Sequence, residues 1–149
     1  MSYMKVVIVG NLGRDPDMRY LASGQAVTNL SVATNRRWTD QNTGETQEEV
    51  CWFRVSVWGR QAEAANEYLR KGRQVLIEGR LRPDPNSGGP RLFERQDGTV
   101  GSSFELVADR VQFLSGSGSG GGNGNGVGSG AHSNGHAGAE PDYTEEIPF

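Results

Sequence analysis

Cys51-Trp52-Phe53-Arg54-Val55-Ser56-Val57-Trp58 alternates without a break, and it decides the fold. A strand has a side-chain period of two, so neighbouring residues point to opposite faces. Cys51, Phe53, Val55 and Val57 form a continuous apolar face suited to a barrel interior, while Trp52, Arg54, Ser56 and Trp58 form the other. At ~3.4 Å per residue the two tryptophans stand roughly 20 Å apart, with a cation between them. The strand is predicted to run from Thr46 to Trp58.

Working outward, Lys5 to Leu12, Ala26 to Asn35, Gln74 to Arg82 and Ser102 to Leu114 also favour strands, with an additional short strand or loop around Arg91 to Gln96 beside the Asp97-Gly98 turn. Asp40 to Gly44 is predicted to be a hairpin loop. Gln61 to Lys71 is the one good helix candidate, with Arg70 and Lys71 suiting its C-terminal end and Gly72 as a stop. Gly10-Asn11-Leu12-Gly13 suggests turn geometry at a strand end. The order β-β-β-α-β-β is that of a five-stranded OB-fold barrel, all-β with one helix. A generic small barrel is the alternative.

Composition changes after Leu114. Residues 115 to 139 are Gly, Ser, Asn, Ala and His, uncharged, with Val127 the lone larger apolar side chain. Such a segment buries no core and is predicted to be a disordered linker spanning roughly 25–30 Å. The domains are therefore 1–114 for the barrel, 115–139 for the linker and 140–149 for an acidic tip, the last two forming a disordered tail.

The formal net charge of −3 hides an uneven arrangement. All 15 Lys and Arg lie between Lys5 and Arg110, against 14 acids in residues 1–114, leaving the barrel at +1; the other acids are Glu140, Asp142, Glu145 and Glu146. Only local grouping can make a basic surface. No apolar run is long enough to span a bilayer, and Val6 to Val9 is too short for a signal-peptide core, which implies a soluble protein with no membrane partner. Cys51 is the only cysteine. An intrachain disulfide and a cysteine-rich metal site are excluded, in keeping with a cytoplasmic location.

Aromatic faces stack unpaired bases of any sequence at roughly 1–3 kcal/mol each, while arginines hold the phosphates between them. Trp52, Arg54 and Trp58 have this combination, and Arg36, Arg37 and Trp38 repeat it beside the Asp40–Gly44 loop. Packing of a tryptophan in an interface, and plain surface charge for the arginines, are the alternatives. Arg60, Lys71, Arg73, Arg80 and Arg82 are further phosphate candidates, some of them ordinary surface. No helix or ribbon motif for reading a duplex groove is present.

These stretches resemble a known family. Lys5-Val-Val-Ile-Val-Gly-Asn-Leu-Gly-Arg-Asp-Pro16, Arg19-Tyr20, the Trp38 loop, Trp52 to Gly59, Glu67-Tyr-Leu-Arg-Lys-Gly72 and Ile77-Glu-Gly-Arg-Leu81 are similar to bacterial single-stranded DNA-binding proteins of the replication machinery. The resemblance spans residues 4–114 and the tip. It implies that Trp38, Trp52 and Trp58 stack DNA bases and that Arg19, Arg54 and Lys71 follow the backbone. It also implies a homotetramer that protects single-stranded DNA in replication, recombination and repair. The chain departs from the family at Pro83 to Pro90, where relatives often carry another stacking tryptophan soon after the fourth strand; Phe93, between Arg91 and Arg95, either takes that role or packs on its own hairpin.

The tip ends Glu145-Glu146-Ile147-Pro148-Phe149, with Asp142 upstream. The resemblance makes it a ligand for replication and repair proteins. Two apolar anchors flanked by acids suit a basic-rimmed hydrophobic pocket, although relatives more often carry an Asp run.

No Walker or Rossmann glycine fingerprint appears, and both histidines, His132 and His136, lie in the linker. The sequence therefore predicts no enzyme, no metal site and no cofactor. Two rival functions remain: an RNA-binding barrel, and an adaptor that mainly positions the tip.

Overall fold

The computed structural model describes residues 1–114. The predicted linker, and the tip with Asp142, Glu145, Glu146, Ile147, Pro148 and Phe149, lie outside the described residues. The elements are β1 (Val6–Leu12), β2 (Asp17–Tyr20), β3 (Ala26–Thr39), β4 (Thr46–Trp58), α1 (Arg60–Tyr68), β5 (Gln74–Leu81), β6 (Arg91–Glu94) and β7 (Val100–Phe113). Hydrogen bonding runs β1-β5-β7-β4-β3, and β3 returns to β1 where Asn11 faces Ala33 and Leu12 faces Val32. Five strands thus close into a barrel in the chain order β-β-β-α-β-β, an OB-fold. The β4–β7 pair is parallel, from Phe53 beside Phe104 to Ser56 beside Val107.

Alternation along the strands builds the interior. Leu30 and Val32 of β3, Val55 and Val57 of β4, Val75 and Ile77 of β5 and Leu106 of β7 are each at most 1% exposed. The apolar face of β4 ends sooner than its sequence suggests: Phe53 packs against this core, but Cys51 lies beyond it. Ala62 and Ala65 of α1 are fully buried, and the Thr28 hydroxyl donates to the Ala62 carbonyl at 2.7 Å. A nine-residue helix is marginal alone, so this docking is what stabilises it.

Three local expectations need correction. The strand predicted over Ala26 to Asn35 does not stop there; β3 continues to Thr39 because Arg36 and Arg37 sit opposite Glu49 and Glu48 and pair with them at 3.5 and 3.0 Å. The helix ends at Tyr68, short of Lys71, because Leu69 turns to extended backbone and buries its side chain at 2% exposure. Arg70 then folds back, its Nη1 donating to the Asn66 and Leu69 carbonyls. Gly10 belongs to β1 rather than to a turn: a Cβ there would lie 2.2 Å from the Ala33 carbonyl oxygen. Gly79, at the bulge where β5 shifts register against β7, meets the Val107 carbonyl as closely.

These two glycines let strands approach where the barrel turns its corners. Gly10→Ala is expected to lower unfolding free energy by about 1–3 kcal/mol in urea denaturation, because the methyl group meets backbone that has to shift.

Candidate nucleic-acid interface

The unbroken β3–β4 register settles which side chains share the outer face of the barrel. Arg19 of β2 lies opposite Val27 of β3, which lies opposite Trp58 of β4. The next outward row runs Asp17, Asn29, Ser56 and Val107. The third runs Ser31, Arg54 and Glu105, and Ala33 faces Trp52. Arg19, Trp58, Arg54 and Trp52 therefore stand on one surface, with small or amide side chains between them.

The two platform tryptophans have different supports. A Cβ at Gly13 would come within 2.6 Å of the Trp52 six-membered ring, so that glycine is the bed on which the indole lies. The same loop is tied to the segment after α1, where Asp15 accepts the Lys71 backbone N–H at 2.8 Å. Trp58 lines a cleft of about 480 Å³ with Arg80, Arg82 and Pro83. Both rings are partly exposed and thus reachable by a ligand.

Electrostatics holds the central arginine in place. The Glu105 side chain is only 10% exposed, with Arg54 Nη1 at 4.0 Å and Arg91 Nη1 at 3.4 Å from its Oε1. A buried carboxylate without cations would cost several kcal/mol, so the pairing keeps both guanidinium groups here. Arg19 pairs with Asp17 at 3.0 Å and Arg80 with Asp109 at 3.5 Å, both in solvent. Burial, and then the Glu49 carboxylate, push the Cys51 thiol above its usual pKa and away from nucleophile chemistry.

Other predicted site residues lie elsewhere. Trp38 is 39% exposed, with the Arg36 guanidinium 5.1 Å from its ring centroid, but their parity on β3 is that of Val32, opposite to Ala33 and Trp52. They make a second aromatic surface on the hairpin arm. Arg37 has the platform's parity and donates to Glu48. Arg60 opens α1 in solvent. Phe93, opposite Gly101 on the β6–β7 arm, lies over the space where a Gly101 side chain would be, with Arg95 5.5 Å from its centroid; in the free chain it packs on its own hairpin.

Sequence reasoning missed Glu105, Arg91 and Gly13 as parts of this surface. The stretch Phe104-Glu105-Leu106-Val107 does set an acid among apolar residues. Its partners come from β4 and β6, which are distant in sequence.

Comparison with known protein families matches residues 3–114 to the single-strand binding protein family. The chain belongs to that family. Among solved structures, the single-strand binding protein of Plasmodium falciparum in complex with single-stranded DNA is similar at 28% identity and a TM-score of 0.63, over 77% of this chain and 97% of that one. A deletion mutant of the single-stranded DNA binding protein from Thermus aquaticus is similar at 31% identity and a TM-score of 0.58, over 76% of this chain. The match spans about half, 51%, of that Thermus chain.

The Gly13 bed is directly testable in this single-strand binding protein. In a Trp38→Phe, Trp58→Phe background, where Trp52 is the only indole, Gly13→Val is expected to lift the ring and shift its fluorescence to longer wavelength. An unshifted spectrum would mean that the ring does not rest on the loop.

Proposed function

We propose that this single-strand binding protein holds unpaired DNA with little regard to sequence, stacking bases on Trp52 and Trp58 and exchanging its exposed arginine–carboxylate contacts for phosphate contacts. The observation that carries this reading is the shared outer face of Arg19, Trp58, Arg54 and Trp52. Aromatic rings at intervals with cations between them suit a flexible strand whose bases are free to stack. Lys71 and Arg82 extend the phosphate path at its two ends, and Arg60 and Arg37 lie at its margins. Trp38 and Arg36, on the other side of the hairpin arm, offer a second surface to a strand that passes round it, and Phe93 offers a further ring on the second arm.

Around this binding act we place protection of single strands in replication, recombination and repair, in the cytoplasm and without catalysis. The family membership and the aromatic–cation surface support that setting. The acidic segment 140–149, with Ile147 and Phe149 as anchors, recruits replication and repair proteins. The barrel assembles as a homotetramer; Val7 and Val9, 56% and 45% exposed on the outer side of β1, are apolar surface that assembly would cover.

Anisotropy titration of a labelled oligothymidine tests the reading. Trp52→Ala and Trp58→Ala are each expected to weaken binding by about 1–3 kcal/mol. With four phosphates engaged, log affinity falls against log salt with a slope of about −3. A matched duplex binds far more weakly. Equal affinity for duplex, or tryptophan variants with full affinity, would overturn the stacking reading. An RNA strand of the same length competes equally only if the barrel is RNA-directed. Deleting residues 140–149 leaves DNA affinity in place and abolishes partner capture; DNA binding too weak to measure beside intact capture would favour an adaptor.

A further inference from the structure

The segment Leu81-Arg82-Pro83 is a wall between two clefts. On one side is the Trp58 cleft already described; on the other is an apolar pocket of about 210 Å³ between the Gly88-Gly89-Pro90 turn and Phe104. Phe104 is 44% exposed although it sits in a β-strand next to the core, with its ring centroid 6.0 Å from that of Phe53. The Arg82 backbone N–H donates to the Glu105 carbonyl at 2.8 Å, tying the wall to β7. Its guanidinium-bearing residue lines both clefts.

We propose that the Phe104 pocket is a second base seat, next along the strand from the Trp58 cleft, with Arg82 holding the phosphate that crosses the wall. This rests on the single-strand reading of the previous section and extends it to a residue outside the tryptophan set. The pocket's chemistry selects a base over a phosphate. Phe104, Pro83 and Pro90 supply flat apolar surface, whereas Glu105, whose carboxylate is already committed to Arg91 and Arg54, has no donor to offer an anion. The phosphate is directed to Arg82 at the rim. Two aromatic seats sharing one cationic wall fit two bases and the link between them, and no isolated small molecule needs that arrangement.

The test uses the full chain and oligothymidines in which one thymidine is replaced by 5-iododeoxyuridine, irradiated in the complex and mapped by peptide mass spectrometry. Cross-links are expected at Phe104 or Pro90 as well as at Trp58. Phe104→Leu keeps an apolar partner for Phe53 and removes the flat ring. It is expected to weaken oligothymidine binding by about 5-fold or more, the lower end of the loss of one stacked base, while tryptophan quenching at saturation persists. Cross-links at Trp58 with none around Phe104 overturn the second seat and leave the single-strand reading standing. So does undiminished affinity of Phe104→Leu. If Phe104→Leu changes the mass of the assembly, the pocket holds a second copy of the chain and the seat is also overturned. No cross-link in either cleft overturns both readings.

Discussion

Burial of Val55 and Val57 fixes the register of β4, and the rest of the structure depends on that register. Both side chains are fully enclosed, facing Leu30, Val32, Ile77 and Leu106 inside the barrel. A slip of one residue would drive Arg54 and Ser56 inward and turn the two valines out, at the cost of an unpaired buried cation. The same alternation that fills the barrel therefore places Trp52, Arg54 and Trp58 on its outside. Packing and the outward aromatic surface are set by one strand, because every inward residue has an outward neighbour.

The surface made in this way is close to neutral in total charge but not inert. Its arginines are held by carboxylates in the free protein: Arg54 and Arg91 on Glu105, Arg19 on Asp17, Arg80 on Asp109. Exposed pairs of this kind contribute little to stability, so surrendering Asp17 or Asp109 to a phosphate costs little. Glu105 differs, being buried, and it stays as the fixed point that keeps Arg54 oriented. A strand bound to such a surface is held by stacking that salt does not screen and by phosphate contacts that salt does.

Much of this was legible in the chain. Strict alternation in Cys51 to Trp58 gave the two faces of β4, and the strand count with one alanine-rich helix gave the barrel. What escaped depended on contacts between distant segments. β2 is a four-residue edge strand paired only with β3, too short for its own pattern to show. The extension of β3 to Thr39 required knowing that Arg36 and Arg37 face Glu49 and Glu48. Trp38 reads in sequence as a repeat of the Trp52 arrangement, yet the parity of β3 puts it on the other side of the ribbon. Gly13 looks like a turn residue until the Trp52 ring is seen to occupy the space its side chain would need.

The central claim is that the outward tryptophans meet bases directly, and intrinsic tryptophan fluorescence during titration with oligothymidine measures that contact. Saturable quenching, with apparent affinity falling as salt rises and no quenching by a matched duplex, is the predicted result. Binding without quenching would contradict it, leaving the phosphate contacts in place and returning Trp52 and Trp58 to packing.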